Sequence, residues 1–114
     1  MSSEQRDIAD GTLVVRTEKQ QSTHTIALCG ELDLANAATA EAELKASLET
    51  EGAEVIVDMR ELEFIDSTGI ALLVAALGHN GDEARIRFIP SDSPAVTRVL
   101  DLTGLAERLP LAEA

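Results

Sequence analysis

The residues best suited to chemistry are Asp66-Ser67-Thr68-Gly69, a small polar knot between two apolar runs. Upstream lies Val55-Ile56-Val57, short and β-branched, which reads as a buried strand. Downstream, Ile70, Leu73, Val74 and Leu77 recur at helical spacing, with apolar residues between them. The knot therefore marks the place where a loop becomes the first turn of a buried helix. Ser67 is the expected N-cap, its hydroxyl accepting from a free backbone N–H two or three residues on. Gly69 is a poor helix former, and it fits where something needs close access to the backbone. A serine here has a second use. The first turn of a helix offers unpaired N–H donors and the positive end of the dipole, and both would stabilise a phosphate ester on the serine oxygen.

Other chemistries find little support. His24 and His79 are the only histidines, one opening a strand and one following a helix end. A nucleophilic Ser67 needs a base, and no residue in sequence nominates itself. The context Asp-Ser-Thr is not the Gly-x-Ser-x-Gly elbow. Metal-ligand spacing, a P-loop and a dinucleotide fingerprint are all missing, so neither a metal nor a cofactor is expected. Gly78-His79-Asn80-Gly81 reads as a turn rather than a phosphate cradle. The expectation is a protein that is not an enzyme.

Composition narrows the partners. The net charge is −12, and the nine basic residues are scattered. Phosphate-backbone binding needs clustered Lys and Arg, so nucleic acid is not an expected partner. An anionic membrane surface is disfavoured for the same reason. Phe64 and Phe88 are the only aromatics, which leaves no platform for base stacking. Cys29 stands alone and excludes an internal disulfide. No apolar run approaches membrane-spanning length, and Met1 to Asp10 is too polar and acidic for a signal peptide. A cytoplasmic protein is expected.

The elements that must position the knot follow from periodicity. Residues 1–114 suit a single domain, with 1–10 as a flexible tail. Leu13 to Thr17 and Thr23 to Leu32 read as strands joined by a short turn, hence an antiparallel hairpin. The second is apolar on both faces up to Gly30, as for a strand covered on two sides. Asn36 is the candidate cap of a helix whose apolar face is Ala37, Ala40, Leu44 and Leu48, with Glu41 and Lys45 as an exposed i,i+4 pair. Val55 to Asp58 follows a helical crossover and is expected to run parallel to the second strand. Arg60 to Phe64 reads as a loop, and the helix from Ser67 runs to about Leu77. Ala84 to Ile89 is a further strand, and Ser93-Pro94 starts a last helix. The order β-β-α-β-α-β-α gives an α/β fold, a small mixed, mostly parallel sheet with covering helices.

Taken together these stretches resemble the STAS domain family, and within it the stand-alone anti-sigma factor antagonists of bacteria. Gly30-Glu31-Leu32-Asp33 is similar to the family's Gly-Glu-Leu-Asp after the second strand. Val57-Asp58 followed by Phe64-Ile65-Asp66-Ser67-Thr68-Gly69-Ile70 resembles its strand, loop and Asp-Ser-(Ser/Thr)-Gly-(Leu/Ile) signature. Val99-Leu100-Asp101-Leu102-Thr103-Gly104-Leu105 looks like the end of its last helix. Ala71 departs from the pattern, since many members have a second glycine there. The resemblance covers about Leu13 to Leu109.

That resemblance implies partner switching. An unphosphorylated antagonist binds an anti-sigma factor that is itself a serine kinase of the histidine-kinase-like ATPase type, and so frees the sigma factor. Phosphorylation of the signature serine releases the antagonist, and a serine phosphatase resets it. By position Ser67 would be the acceptor, with Thr68 the second candidate. Asp33, Asp66, Ser67, Thr68 and Gly69 would face the partner. The rival readings are a non-switching STAS subunit of a lipid- or ligand-binding complex, against which the intact acceptor serine argues, and a serine hydrolase. A fluorophosphonate that labels serine nucleophiles separates the last of these.

Overall fold

The computed structural model describes residues 4–78 and 85–112. Their elements run β1 (Glu4–Asp10), β2 (Leu13–Gln20), β3 (Thr23–Leu32), α1 (Ala37–Leu48), β4 (Glu54–Asp58), β5 (Leu62–Ile65), α2 (Ser67–Leu77), β6 (Ile86–Ile89) and α3 (Pro94–Leu102). The sheet order is β1-β2-β3-β4-β6, with β5 paired to β3. The β1–β2 and β2–β3 pairings are antiparallel, whereas β3–β4, β3–β5 and β4–β6 are parallel. This is the mixed, mostly parallel sheet that the alternation of strands and helices predicts.

Register puts one face of the sheet in the core. Thr17, Ile26, Val57 and Phe88 lie side by side across four strands, next to a row of His24, Val55 and Ile86, and all are buried. Buried Leu44 and Leu48 of α1, Leu72 and Leu73 of α2, and Val96 and Leu100 of α3 join the same core. Each such aliphatic side chain contributes roughly 1.5–3 kcal/mol by leaving water. Thr25, Ala27 and Cys29, on the other face of β3, are only half-buried. The expectation of a strand covered on both sides is therefore corrected: small side chains there read as apolar, yet the face is partly open. The Cys29 thiol is pushed up by its burial and by the nearby Glu61 carboxylate, which disfavours the reactive thiolate.

Two strands were not expected. From Glu4 onward the supposed tail is β1, which pairs with β2 from Glu4↔Lys19 to Asp10↔Leu13, while Met1 to Ser3 lie outside the described residues. Its polar side chains carry no alternation, so it is held by the backbone ladder and by contacts distant in sequence. Arg6 reaches Glu43 at 3.4 Å, and the Thr39 hydroxyl donates to Asp10 at 2.6 Å. Inside the supposed loop after Arg60, β5 pairs with β3 through Gly30↔Leu62, Glu31↔Phe64 and Leu32↔Ile65. The Ser91 hydroxyl, itself buried, holds β5 by donating to the Leu62 carbonyl at 2.7 Å. At the opposite edge from β1, the Phe88 N–H donates to the Pro110 carbonyl at 2.7 Å and the Ala112 N–H donates to Phe88 at 2.9 Å. Of the turn expected at Gly78-His79-Asn80-Gly81, the part beyond Gly78 lies outside the described residues.

His24 faces inward beneath α1, its Nδ1 3.0 Å from the buried Ser47 hydroxyl. Burial, and then the Lys19 charge across the β2–β3 ladder, pull its pKa below the ordinary 6.5. In the unfolded chain the ring takes up a proton near pH 6.5, whereas in the folded chain it resists until lower pH. Stability from this group is complete above 6.5 and is lost as pH falls from there through the folded value. Urea midpoints at pH 7.5 and 5.5 should therefore differ more for the wild type than for His24→Gln. Equal differences would show that the ring titrates alike in both states.

Candidate functional site

The knot is built where β3 and β5 deliver their ends to the tip of α2. After Ala27, β3 leaves β4, and from Gly30 onward it pairs with β5. Gly30 makes this exchange possible with φ +101°, and a Cβ there would overlap the Thr12 carbonyl oxygen. That oxygen accepts from the Glu31 N–H at 3.1 Å, and the Gly30 N–H donates to Glu61 at 3.0 Å. The chain then reaches Asp33, whose carboxylate accepts from the Ala35 N–H at 3.0 Å. Asn36, buried, accepts from the Asp33 N–H at 3.0 Å and donates to the Glu31 carbonyl at 2.9 Å. It precedes α1 without making a side-chain cap bond, because its amide is used to close the loop before the helix.

Asp66, not Ser67, caps α2. Its backbone is extended, and one carboxylate oxygen accepts from the Thr68 N–H at 2.9 Å and the Gly69 N–H at 3.1 Å. The other oxygen accepts from the Leu34 N–H at 3.1 Å. A hydroxyl has one oxygen and could not serve both the helix and the neighbouring loop, which is why the carboxylate takes the cap. Ser67 is thereby the first helical residue. Its side chain is exposed, and its hydroxyl makes no hydrogen bond to any described residue.

This corrects the expected phosphate cradle. The Thr68 and Gly69 amides are already occupied, so a phosphate on Ser67 would meet a carboxylate rather than two vacant donors. The structure brings Asp33, Leu34, Asp66, Ser67 and Thr68 to one end of the fold. Gly69 belongs to the packing beneath: it is buried, and a Cβ would come within 2.5 Å of Ile65 Cγ1 and 3.0 Å of the Leu32 side chain.

Gly69 also sets which face of α2 is buried. The buried residues are Gly69, Leu72, Leu73 and Ala76, while Ile70 and Leu77 are partly buried and Val74 is 42% exposed. The sequence pattern placed Val74 inward because the helix is apolar nearly all round, and periodicity alone could not choose a face. Ala71 and Ala75 are left exposed. The departure at Ala71 therefore faces outward rather than into helix packing. Beside them stands Leu34, 78% exposed, which sequence reasoning passed over as part of a connection. The available signal was a leucine directly after the Gly-Glu-Leu-Asp stretch, in a connection before a helix.

Among the described residues no group of His, Cys, Asp and Glu could hold a metal ion. No helix among them is long and apolar enough to cross a membrane. Asp58 and Arg60, on the open side of the sheet, form a pair with bonds of 3.0 and 2.8 Å. Burial alone would raise the Asp58 carboxyl, but the Arg60 bonds outweigh it and hold it below the usual range.

The fold has known counterparts. An anti-sigma factor antagonist from Mycobacterium paratuberculosis superposes with a TM-score of 0.80 at 24% identity, covering 93% of this chain and 90% of that one. The anti-sigma factor antagonist SpoIIAA in its unphosphorylated form gives 0.67 at 24% identity, over 87% of this chain and 88% of that one. The Bacillus cell fate determinant SpoIIAA in its phosphorylated form gives 0.60 at 24% identity, over 87% and 91%. At this identity the likeness is one of fold. The family model described as Mlab, STAS domain matches residues 15–112, from β2 to beyond α3, and the chain belongs to the STAS domain family.

Proposed function

We propose that this protein is an anti-sigma factor antagonist that switches partners through phosphorylation of Ser67. The observation that carries the reading is the Ser67 hydroxyl, exposed at the first position of α2 and free of hydrogen bonds to any described residue. A kinase can reach that oxygen without unfolding the helix. A structural neighbour that is an anti-sigma factor antagonist has been solved both unphosphorylated and phosphorylated, which supports a fold that tolerates the modification. The expected partners are an anti-sigma factor that is a serine kinase of the histidine-kinase-like ATPase type, and a serine phosphatase.

The electrostatics favour release. A phosphoserine adds about −1.5 to −2 charge. Here it would lie on the residue next to Asp66, whose carboxylate already holds the loop after Asp33, on a chain of net charge −12. The Thr68 and Gly69 amides are taken, so they offer no compensation for the new charge. A partner seated over a neutral hydroxyl and the apolar Leu34 side chain would then face a desolvated dianion. A loss of about 2.8 kcal/mol corresponds to roughly hundredfold weaker binding.

The test is phosphate incorporation from labelled ATP in extract of the source cell. Wild type and Thr68→Ala should be labelled, and Ser67→Ala should not. Full incorporation into Ser67→Ala would move the acceptor elsewhere and remove the reading.

A further inference from the structure

We propose that the groove between α1 and α2 receives a basic amphipathic helix of about three turns from the protein partner, with a cationic side chain seated on Glu41. The partner's identity rests on the switching reading above; the groove's preference for a basic helix does not. Two cavities of about 460 and 270 Å³ run along this groove and share Glu41, Leu72 and Ala75. The larger opens beside Leu34 and Thr68, next to Ser67, and the smaller continues along α1 to Leu48.

The lining specifies the occupant. Ala37, Ala38, Ala71 and Ala75 supply a shallow apolar wall with little bulk, so the partner must bring the larger side chains. Both walls are helices whose backbone groups are satisfied internally, so no edge is offered to an added strand. Side-chain packing is the available mode, as when an amphipathic helix lies in an apolar groove. The 12 residues of α1 span about 18 Å, the length of a helix of just over three turns.

Charge selects a basic helix. Glu41 lies on the lining of both cavities, is exposed, and has no ion pair among the described residues. Arg6 is engaged with Glu43, and the expected Glu41–Lys45 pair is not formed. Lys45 lines only the far cavity, so the cation belongs near the middle of the docked helix rather than at that end. A second copy of this chain is a poor occupant, because each carries −12.

The test uses a 12-residue helical peptide, leucine and alanine on one face with two lysines in its central turn, titrated into isotope-labelled protein. Amide shifts should concentrate at Leu34, Ala38, Glu41, Ala71 and Ala75. Glu41→Lys should weaken binding about tenfold or more, and Ala75→Phe, at an exposed position, should fill the groove and do the same. The analogue with glutamates for lysines should not bind. Absence of binding, equal binding of the acidic analogue, or shifts spread over the open sheet face would each overturn the proposal. Ser67 phosphorylation without groove binding would sink the groove alone. Groove binding by a protein that no kinase modifies at Ser67 would sink the switch alone.

Discussion

A Gly30→Ala variant is expected to be less stable than the wild type by about 3 kcal/mol or more. Two independent penalties act at this residue. At φ +101° an L side chain is strained, a cost of about 1–3 kcal/mol by itself. The added methyl also overlaps the Thr12 carbonyl oxygen, a backbone atom held by its bond from Glu31. Relieving the overlap means separating β2 from β3 where β3 passes from β4 to β5. Asp33 and Leu34 follow directly, so the loop beside Ser67 should loosen together with the fold. Urea unfolding measures the first effect and amide exchange at Leu34 the second. A variant within about 0.5 kcal/mol of wild type would show that the exchange of strand partners does not depend on glycine.

The second large effect is expected at Asp66. Replacement by alanine removes the acceptor for three N–H groups at once, those of Leu34, Thr68 and Gly69. Loss of a helix cap costs about 1 kcal/mol and up to about 2. The severed link to Leu34 adds a further bond of about 1 kcal/mol, and the negative charge at the positive end of α2 a few tenths more. The sum is roughly 2–3 kcal/mol. Asparagine separates the contributions. Its carbonyl can still cap the helix, but its amide would point a donor at the Leu34 N–H. Asp66→Asn should therefore retain most of the stability while Leu34 exchange accelerates as it does in the alanine variant. If Leu34 stays protected in both, the carboxylate does not tie the loop to the helix.

Legibility followed the strength of local signals. The bounds of β3 and α2 were readable because alternation, β-branched residues and a capping pair coincide there. Strand β1 was not, since Glu-Gln-Arg-Asp-Ile-Ala-Asp has no apolar period and its support comes from Glu43 and Thr39, far along the chain. Strand β5 is only 4 residues long, too short to outweigh the polar residues around it. At the site, Ser67 was identifiable as the oxygen at a helix tip. Its exchange of roles with Asp66 was not, because both residue types cap helices and only the position of Leu34 decides between them. The groove was illegible for a related reason: Glu41 read as half of a helix-surface pair, and α2 read as buried on the side that carries Val74.

The two rims of the sheet are closed differently, and this bears on how the protein is handled. Strand β1 presents Glu4, Arg6, Asp7 and Asp10, charges that discourage another strand from adding there. The opposite rim is covered by Pro110, Leu111 and Ala112, strapped to Phe88 by backbone bonds. Shortening the polypeptide before Pro110 would spare every residue around Ser67, yet bare the Phe88 backbone to neighbouring molecules and invite precipitation. An affinity tag is better fused ahead of Glu4, where the charged rim tolerates company.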